Sequence, residues 1–205
     1  MRNQGERLPG LVYGLMTAAA VLFGLIRAAR LRWVCDDAFI TFRYADNWVA
    51  GLGPVYNAGE RVEGYTHFLW LCLLAAARRL GIDPVLAAEA LGLAAHAATI
   101  LLFAWTVRVL FRKERPVVPM TALVLALHYD GAIWATGGLE TALFTLLTGL
   151  GFALLVLGPR ERGGRLADSA LGAFEVPANP CGGCAQSPAD RCRHQGQVLR
   201  GATAS

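Results

Sequence analysis

Residues 35–70 read CDDAFITFRYADNWVAGLGPVYNAGERVEGYTHFLW and interrupt an otherwise apolar sequence. The stretch opens on two adjacent carboxylates, Asp36 and Asp37, passes through an aromatic-rich segment, crosses several Gly and Pro positions and then reaches Glu63. Long apolar runs lie before and after it. The pattern predicts a membrane protein whose polar chemistry is concentrated in one loop.

The composition supports a membrane protein. Hydrophobic residues make up 55% of the 205 positions and charged residues 17%, against roughly 25% charged residues in an average soluble domain. Of the 19 basic residues only Lys113 is a lysine, and the net charge is +4. Because basic residues flank the apolar runs, as membrane topology requires, we do not expect a nucleic acid as a partner.

Four runs are predicted to span the bilayer, giving an all-α, polytopic protein. A helix needs about 20 apolar residues to cross, and the predicted spans are residues 8–29, 84–111, 117–133 and 139–157. Residues 30–83 then form the first extracytoplasmic loop. A signal peptide is the alternative for the first run, but the run exceeds a usual apolar region of about 7–15 residues and shows no clear cleavage site.

Two further helices are predicted inside the loop, next to the membrane. Ala38, Phe42, Ala45, Trp48 and Val49 fall on one side of a helical wheel. The later apolar run, residues 68–77, would rise only about 15 Å as a helix, half of the roughly 30 Å hydrocarbon thickness. We therefore expect it to be interfacial or re-entrant.

The basic residues set the expected orientation. With the N-terminus cytoplasmic, four spans place two basic clusters inside, one at residues 112–115 and one at residues 160–165, as the positive-inside rule requires. Arg27, Arg30 and Arg32 lie outside in this topology and do not support it. The expected location is a multi-pass position in the cell membrane.

The C-terminal residues, 159–205, are predicted to be a disordered polar tail because they lack apolar periodicity. They contain a Cys-x2-Cys-x7-Cys-x-His pattern, formed by Cys181, Cys184, Cys192 and His194. Four such ligands can hold zinc, but the short Pro- and Arg-rich surroundings do not resemble a zinc ribbon, and we expect no metal site. A tail that was never selected to fold, from a shifted reading frame or a truncated gene, is the expected explanation.

The adjacent acids admit two interpretations. Asp36 and Asp37 could deprotonate a hydroxyl nucleophile or hold a divalent cation against a phosphate, or one of them could merely cap a helix. Arg43 could bind a phosphate bidentately or pair with Asp36 or Asp46. On the residues alone these alternatives stay open.

Other candidates lie downstream. Tyr65, Phe68 and Trp70 could stack on a sugar or form an interfacial aromatic belt. His67 is better placed for a chemical role than His96, which is expected to be a packed polar residue. His128 and Asp130 lie near the outer end of the third predicted span, where solvation is easy.

Glu140 lies in the segment WATGGLET, residues 134–141. An acid at the start of a helix is stabilised by the helix dipole, which is sufficient to explain it. It is also predicted to lie on the same side of the membrane as Asp36 and Asp37, and ionisable residues at membrane depth are functional candidates.

The runs in residues 36–70 and 134–141 resemble the polytopic GT-C glycosyltransferases that use polyprenyl-phosphate sugars, most closely the actinobacterial cell-wall arabinofuranosyltransferases. The resemblance implies transfer of a sugar such as arabinofuranose to an extracytoplasmic glycan, with inversion at the anomeric carbon. Asp36 and Asp37 would be catalytic, with a divalent cation as a candidate cofactor, and Arg43 or Arg61 would offset the phosphate charge. The remaining implied substrate-binding residues are Tyr44, Glu63, Thr66, His67 and Glu140.

Such enzymes usually have many more spans, so the chain is expected to be the N-terminal part of one, truncated. Two alternatives are a non-catalytic membrane protein or degenerate fragment, and a small transporter. The transporter is disfavoured because the unusual residues collect in one outer loop and not at the membrane midplane.

Overall fold

The computed structural model describes residues 4–60, 62–114 and 116–158, with side chains from residue 8 onward. Seven helices occupy this part of the chain: α1 Gln4–Arg30, α2 Asp36–Val49, α3 Phe68–Arg79, α4 Pro84–Leu110, α5 Met120–Leu127, α6 Tyr129–Trp134 and α7 Thr141–Leu157. The all-α prediction is confirmed for these residues. Arg61, and the predicted tail with its cysteines and His194, lie outside them.

Two helices are long and apolar enough to cross a membrane. They are Leu8–Arg30, with a mean hydropathy of 1.9, and Pro84–Leu110, with a mean hydropathy of 1.8. α4 begins where predicted, because the Asp83 carboxylate accepts hydrogen bonds from the backbone N–H groups of Val85 and Leu86 and Pro84 suits the first helical position. Both helices point to a membrane protein, whereas the count of four spans stays a prediction.

The third predicted span is not one continuous helix. α5 has 8 residues, a rise of about 12 Å, and α6 has 6. Between them the His128 backbone is extended, with ψ 118°. The His128 Nδ1 atom accepts a hydrogen bond of 3.0 Å from the Gly131 N–H, which caps α6 as a new helix and ends α5. α7 has 17 residues, at the lower end of the length that a membrane span needs.

The two predicted loop helices are present as α2 and α3. The predicted apolar side of α2 is largely right, since Ala38, Phe42 and Ala45 are buried and Arg43 is exposed. These side chains form one core cluster with Tyr44 of α2, with Trp70, Leu71 and Leu74 of α3, and with Ala87 and Ala88 of α4. α2 therefore rests on α3 and on the beginning of α4.

A second cluster joins the long helices. It consists of Tyr13 and Ala20 of α1, Ile100 and Ala104 of α4, and Ala122 and Ala126 of α5. α7 packs closely on α4, since a Cβ atom on Gly149 would come 2.7 Å from the Phe103 ring. α4 is thus the central helix of the described part.

Candidate active site

Asp36 and Asp37 are the first two residues of α2. The residue before them, Cys35, occupies the N-cap position, so neither acid is the cap. Both carboxylates are exposed, and neither forms an ion pair with another described residue. The helix dipole stabilises their negative charges at the helix N-terminus. Because both carboxylates are exposed and unpaired among the described residues, they are available to a ligand.

The two acids lie on different sides of α2. Residues four and seven positions apart share a helix side, so Asp37 lies with Thr41 and Tyr44, which are both buried. Asp36 lies with Ile40 and Arg43, which are exposed. Asp37 is therefore on the side of α2 that meets the rest of the protein.

The segment WATGGLET packs directly against the start of α2. The Cys35 N–H donates to the Gly137 carbonyl over 2.9 Å, and the Trp70 indole N–H donates to the Gly138 carbonyl over 3.0 Å. Gly138 has φ +84°, and a Cβ atom there would lie 2.8 Å from the Ala38 Cβ atom. A glycine is needed for both reasons, and it brings the two predicted functional stretches together.

Glu140, His67 and Thr41 lie next to one another across three elements. The Glu140 Oε2 atom lies 3.3 Å from His67 Nδ1, and His67 Nε2 lies 2.7 Å from Thr41 Oγ1. Glu140 occupies the N-cap position of α7 without a side-chain capping hydrogen bond. Its carboxylate is therefore engaged by His67 and does not serve mainly as a cap.

The loop between α2 and α3 is held by α2 side chains. Tyr44 is 1% exposed, and its hydroxyl donates to the Val62 carbonyl over 2.8 Å and accepts from the Gly64 N–H over 2.9 Å. Arg43 Nε donates to the Tyr56 carbonyl over 3.3 Å. Both residues have protein partners that fix the loop, and Arg43 also remains exposed.

Glu63 lies apart from the group formed by Glu140, His67 and Thr41. It is exposed and lines an open cleft of about 480 Å³ with Leu52, Gly53, Pro54, Val55, Val62 and Tyr65. Thr66 is exposed too, with its Oγ1 atom 3.4 Å from His67 Nδ1. The structure thus brings Thr66, His67 and Glu140 together. Arg43 and Tyr44 of α2 instead bond the loop backbone, and Glu63 belongs to that loop.

The alternative pairing of Arg43 with Asp46 is not present. Asp46 Oδ1 instead lies 2.6 Å from Arg78 Nε of α3, and both side chains are partly exposed. This pair joins α2 to α3 on the surface. Thr41 was missed by the sequence analysis, although its position four residues after Asp37 was a usable signal.

A buried acid that the sequence analysis did not single out fixes the beginning of the loop. Glu89 of α4 is 6% exposed, and its Oε1 atom lies 2.5 Å from Arg32 Nε. Next to Arg32, the Trp33 indole N–H donates to the Ile133 carbonyl over 3.2 Å. Residues 32 and 33 are therefore anchored to α4 and α6 just before α2 begins.

The other histidines lie elsewhere. His96 is buried, as expected for a packed polar residue, and lines a cavity of about 260 Å³ between α4, α6 and α7. His128, exposed, caps α6. Among the described residues, no group of three or more His, Cys, Asp or Glu side chains is arranged to hold a metal ion.

Two curated proteins are similar in sequence to this chain. The terminal beta-(1->2)-arabinofuranosyltransferase of Mycobacterium tuberculosis is 37% identical over 148 residues, which is 69% of this chain and 23% of the relative. The protein of the same name from Corynebacterium glutamicum is 33% identical over 147 residues, 70% of this chain and 21% of the relative. The chain spans less than a quarter of the length of these relatives.

No protein-family model and no solved structure matches the chain. The similarity to the two curated proteins covers most of the chain at an identity of one third or more. The predicted resemblance to actinobacterial arabinofuranosyltransferases is thereby confirmed.

Proposed function

We propose that the chain carries the active-site loop of a GT-C glycosyltransferase that transfers a sugar from a polyprenyl-phosphate donor to an extracytoplasmic glycan. Arabinofuranose is the proposed sugar, because both similar proteins are named for its transfer. The observation that carries the proposal is the meeting of two acidic segments, Asp36–Asp37 and Glu140, through the Gly137–Gly138 turn.

In the proposed reaction a carboxylate of α2 takes the proton of an acceptor hydroxyl. The acceptor oxygen then forms a bond to the anomeric carbon of the donor, and the bond from that carbon to the phosphate oxygen breaks. Its electron pair leaves with the polyprenyl phosphate. General-base catalysis of this kind contributes roughly 10²–10⁴-fold in rate.

Asp37 is the better candidate for the base. It shares a helix side with Thr41, which contacts the His67–Glu140 pair, whereas Asp36 shares its side with exposed residues. We assign Asp36 to orienting the acceptor. This division supplies a testable difference between two neighbouring carboxylates.

The negative charge of the leaving phosphate needs a counter-charge. Arg43 is exposed on the Asp36 side of α2, and a guanidinium suits a phosphate. A divalent cation held by Asp36 and Asp37 against the phosphate is a second source of positive charge. The proposed reaction assigns no step to such a cation.

We further propose a multi-pass topology with a cytoplasmic N-terminus and the residue 30–83 loop outside. Labelling with a membrane-impermeant thiol reagent tests it, using Glu60→Cys and Lys113→Cys in a background with the native cysteines replaced by serine. Position 60 should react in intact cells and position 113 only after permeabilisation. The reverse pattern would contradict the orientation.

Sugar transfer by membranes containing the full chain tests the function, with a polyprenyl-phosphate arabinofuranose donor and a short arabinofuranose acceptor. Asp37→Asn should lower transfer at least about 100-fold, with a smaller loss for Asp36→Asn. Asp46→Asn is the matched control, because Asp46 lies on the same helix but pairs with Arg78. Normal transfer by both Asp36→Asn and Asp37→Asn excludes the catalytic assignment, and no transfer by the wild-type chain favours a non-catalytic membrane protein.

A further inference from the structure

The contacts of His67 with Glu140 and Thr41 favour one direction of proton donation. An ionised carboxylate only accepts hydrogen bonds, so the Glu140 Oε2 atom, 3.3 Å from His67 Nδ1, favours the tautomer that carries its proton on Nδ1. In the neutral imidazole the other nitrogen, Nε2, is then an acceptor, and the Thr41 hydroxyl donates to it across 2.7 Å. The order of donors runs from Thr41 to His67 to Glu140.

The burial of these three groups differs. Thr41 is 1% exposed, the His67 side chain is 16% exposed and the Glu140 side chain is 36% exposed. The imidazole has both nitrogens engaged by protein groups. Of the three groups, Glu140 therefore keeps the most accessible surface with which to touch a ligand.

We propose that His67 is a positioning residue that orients the Glu140 carboxylate toward the acceptor sugar. This inference rests on the proposed function. Glu140 is assigned to the acceptor because like charges repel, so a carboxylate close to the donor phosphate would be unfavourable, whereas sugar hydroxyls donate to carboxylates. Thr41 ties this arrangement to α2, one helical turn after Asp37.

Two substitutions distinguish a positioning role of His67 from a role as a reacting group. His67→Leu fills similar space but forms no hydrogen bond, so the Glu140 carboxylate is free to rotate. His67→Gln offers an amide N–H to Glu140 and an amide oxygen to Thr41. A misplaced group costs up to about 100-fold in rate, so we expect kcat/KM to fall about 10- to 100-fold in His67→Leu and to recover most of that loss in His67→Gln.

The test measures KM for the acceptor and the donor separately, with the full chain in membranes and the same substrates. His67→Leu and Thr41→Val should raise KM for the acceptor and leave KM for the donor unchanged, whereas general disruption of the fold would change both. Thr145→Val is the control, since the Thr145 hydroxyl bonds only its own helix, at the Thr141 carbonyl. Wild-type kinetics in His67→Leu, or no recovery in His67→Gln, would overturn the proposal.

A second measurement does not depend on activity. The nitrogen chemical shifts of ¹⁵N-histidine-labelled chain in detergent report which imidazole nitrogen carries the proton, and His67→Gln identifies the signal. We expect the Nδ1–H tautomer in the wild type and a mixture of tautomers in Glu140→Ala. An Nε2–H tautomer in the wild type overturns the proposed order, even if the chain transfers sugar. A wild-type chain without transfer overturns the proposed function, and the catalytic part of this inference with it.

Discussion

The Trp70 indole N–H and the Gly138 carbonyl are joined by a buried hydrogen bond of 3.0 Å. Trp70 belongs to α3 and is 1% exposed, and Gly138 precedes α7 in the segment that also contains Glu140. The bond places the glycine turn over the start of α2, against Ala38. The two predicted functional stretches are thus held together by an aromatic side chain that we expected to stack on a sugar or to form an aromatic belt.

Trp70→Phe should destabilise the protein while keeping most of the packing. The substitution leaves the buried Gly138 carbonyl without its donor, which costs about 1–3 kcal/mol in free energy of unfolding. Denaturant unfolding in detergent micelles measures this. Trp105→Phe is the control, because Trp105 is exposed, and an equal loss of stability in both variants would contradict the role of the hydrogen bond.

Gly138→Ala should be strongly destabilising. The backbone has φ +84°, and the new Cβ atom would come 2.8 Å from the Ala38 Cβ atom. A left-handed conformation alone costs roughly 1–2 kcal/mol in a residue with a Cβ atom, and the contact adds to it. Gly53 has φ +83° with open space around it, so Gly53→Ala measures the conformational term alone. Equal effects of the two substitutions on the free energy of unfolding would show that the contact with α2 is unimportant.

Tyr44→Phe should loosen the loop between α2 and α3. The hydroxyl bonds both the Val62 carbonyl and the Gly64 N–H, and each lost hydrogen bond costs roughly 1 kcal/mol. Limited proteolysis should cleave this loop faster in Tyr44→Phe than in the wild type. Tyr56→Phe is the control, since Tyr56 is an exposed residue of the same loop. Unchanged cleavage in Tyr44→Phe would contradict the prediction.

Arg32→Gln should cost more stability than the same change in a surface pair. It leaves the carboxylate of Glu89, which is 6% exposed, without its partner. Breaking a buried pair costs roughly 3–5 kcal/mol, and because the Arg32 side chain is 62% exposed we expect about 2 kcal/mol after allowing for solvent screening.

Arg78→Gln, which breaks the partly exposed pair with Asp46, should cost less than about 1 kcal/mol. The double variant Arg32→Gln with Glu89→Gln should recover part of the loss, because no buried charge is then left unpaired. Comparison of the four free energies of unfolding in a double-mutant cycle measures the interaction. No recovery in the double variant would show that Arg32 acts otherwise than by neutralising Glu89.

The sequence alone was sufficient for the features that depend on neighbouring residues. Apolar length predicted α1 and α4, Pro84 after Asp83 predicted where α4 begins, and helical spacing predicted that Ala38, Phe42 and Ala45 share a side. Each of these follows from backbone geometry within a few turns. The break at His128 also has a local cause, the bond to the Gly131 N–H, but the apolar run concealed it.

The partners of the site residues were decided only by the tertiary structure. Nothing in the spacing of the sequence says that His67 meets Glu140, that Trp70 bonds Gly138 or that Tyr44 turns its hydroxyl to the loop backbone. These contacts join residues far apart in the chain, and they form because α2, α3 and the start of α7 pack around one core cluster. The acidic pair was evident in the sequence. Only the contact between Thr41 and His67 shows that Asp37 lies on the side of α2 that faces the site, which makes it the better candidate base.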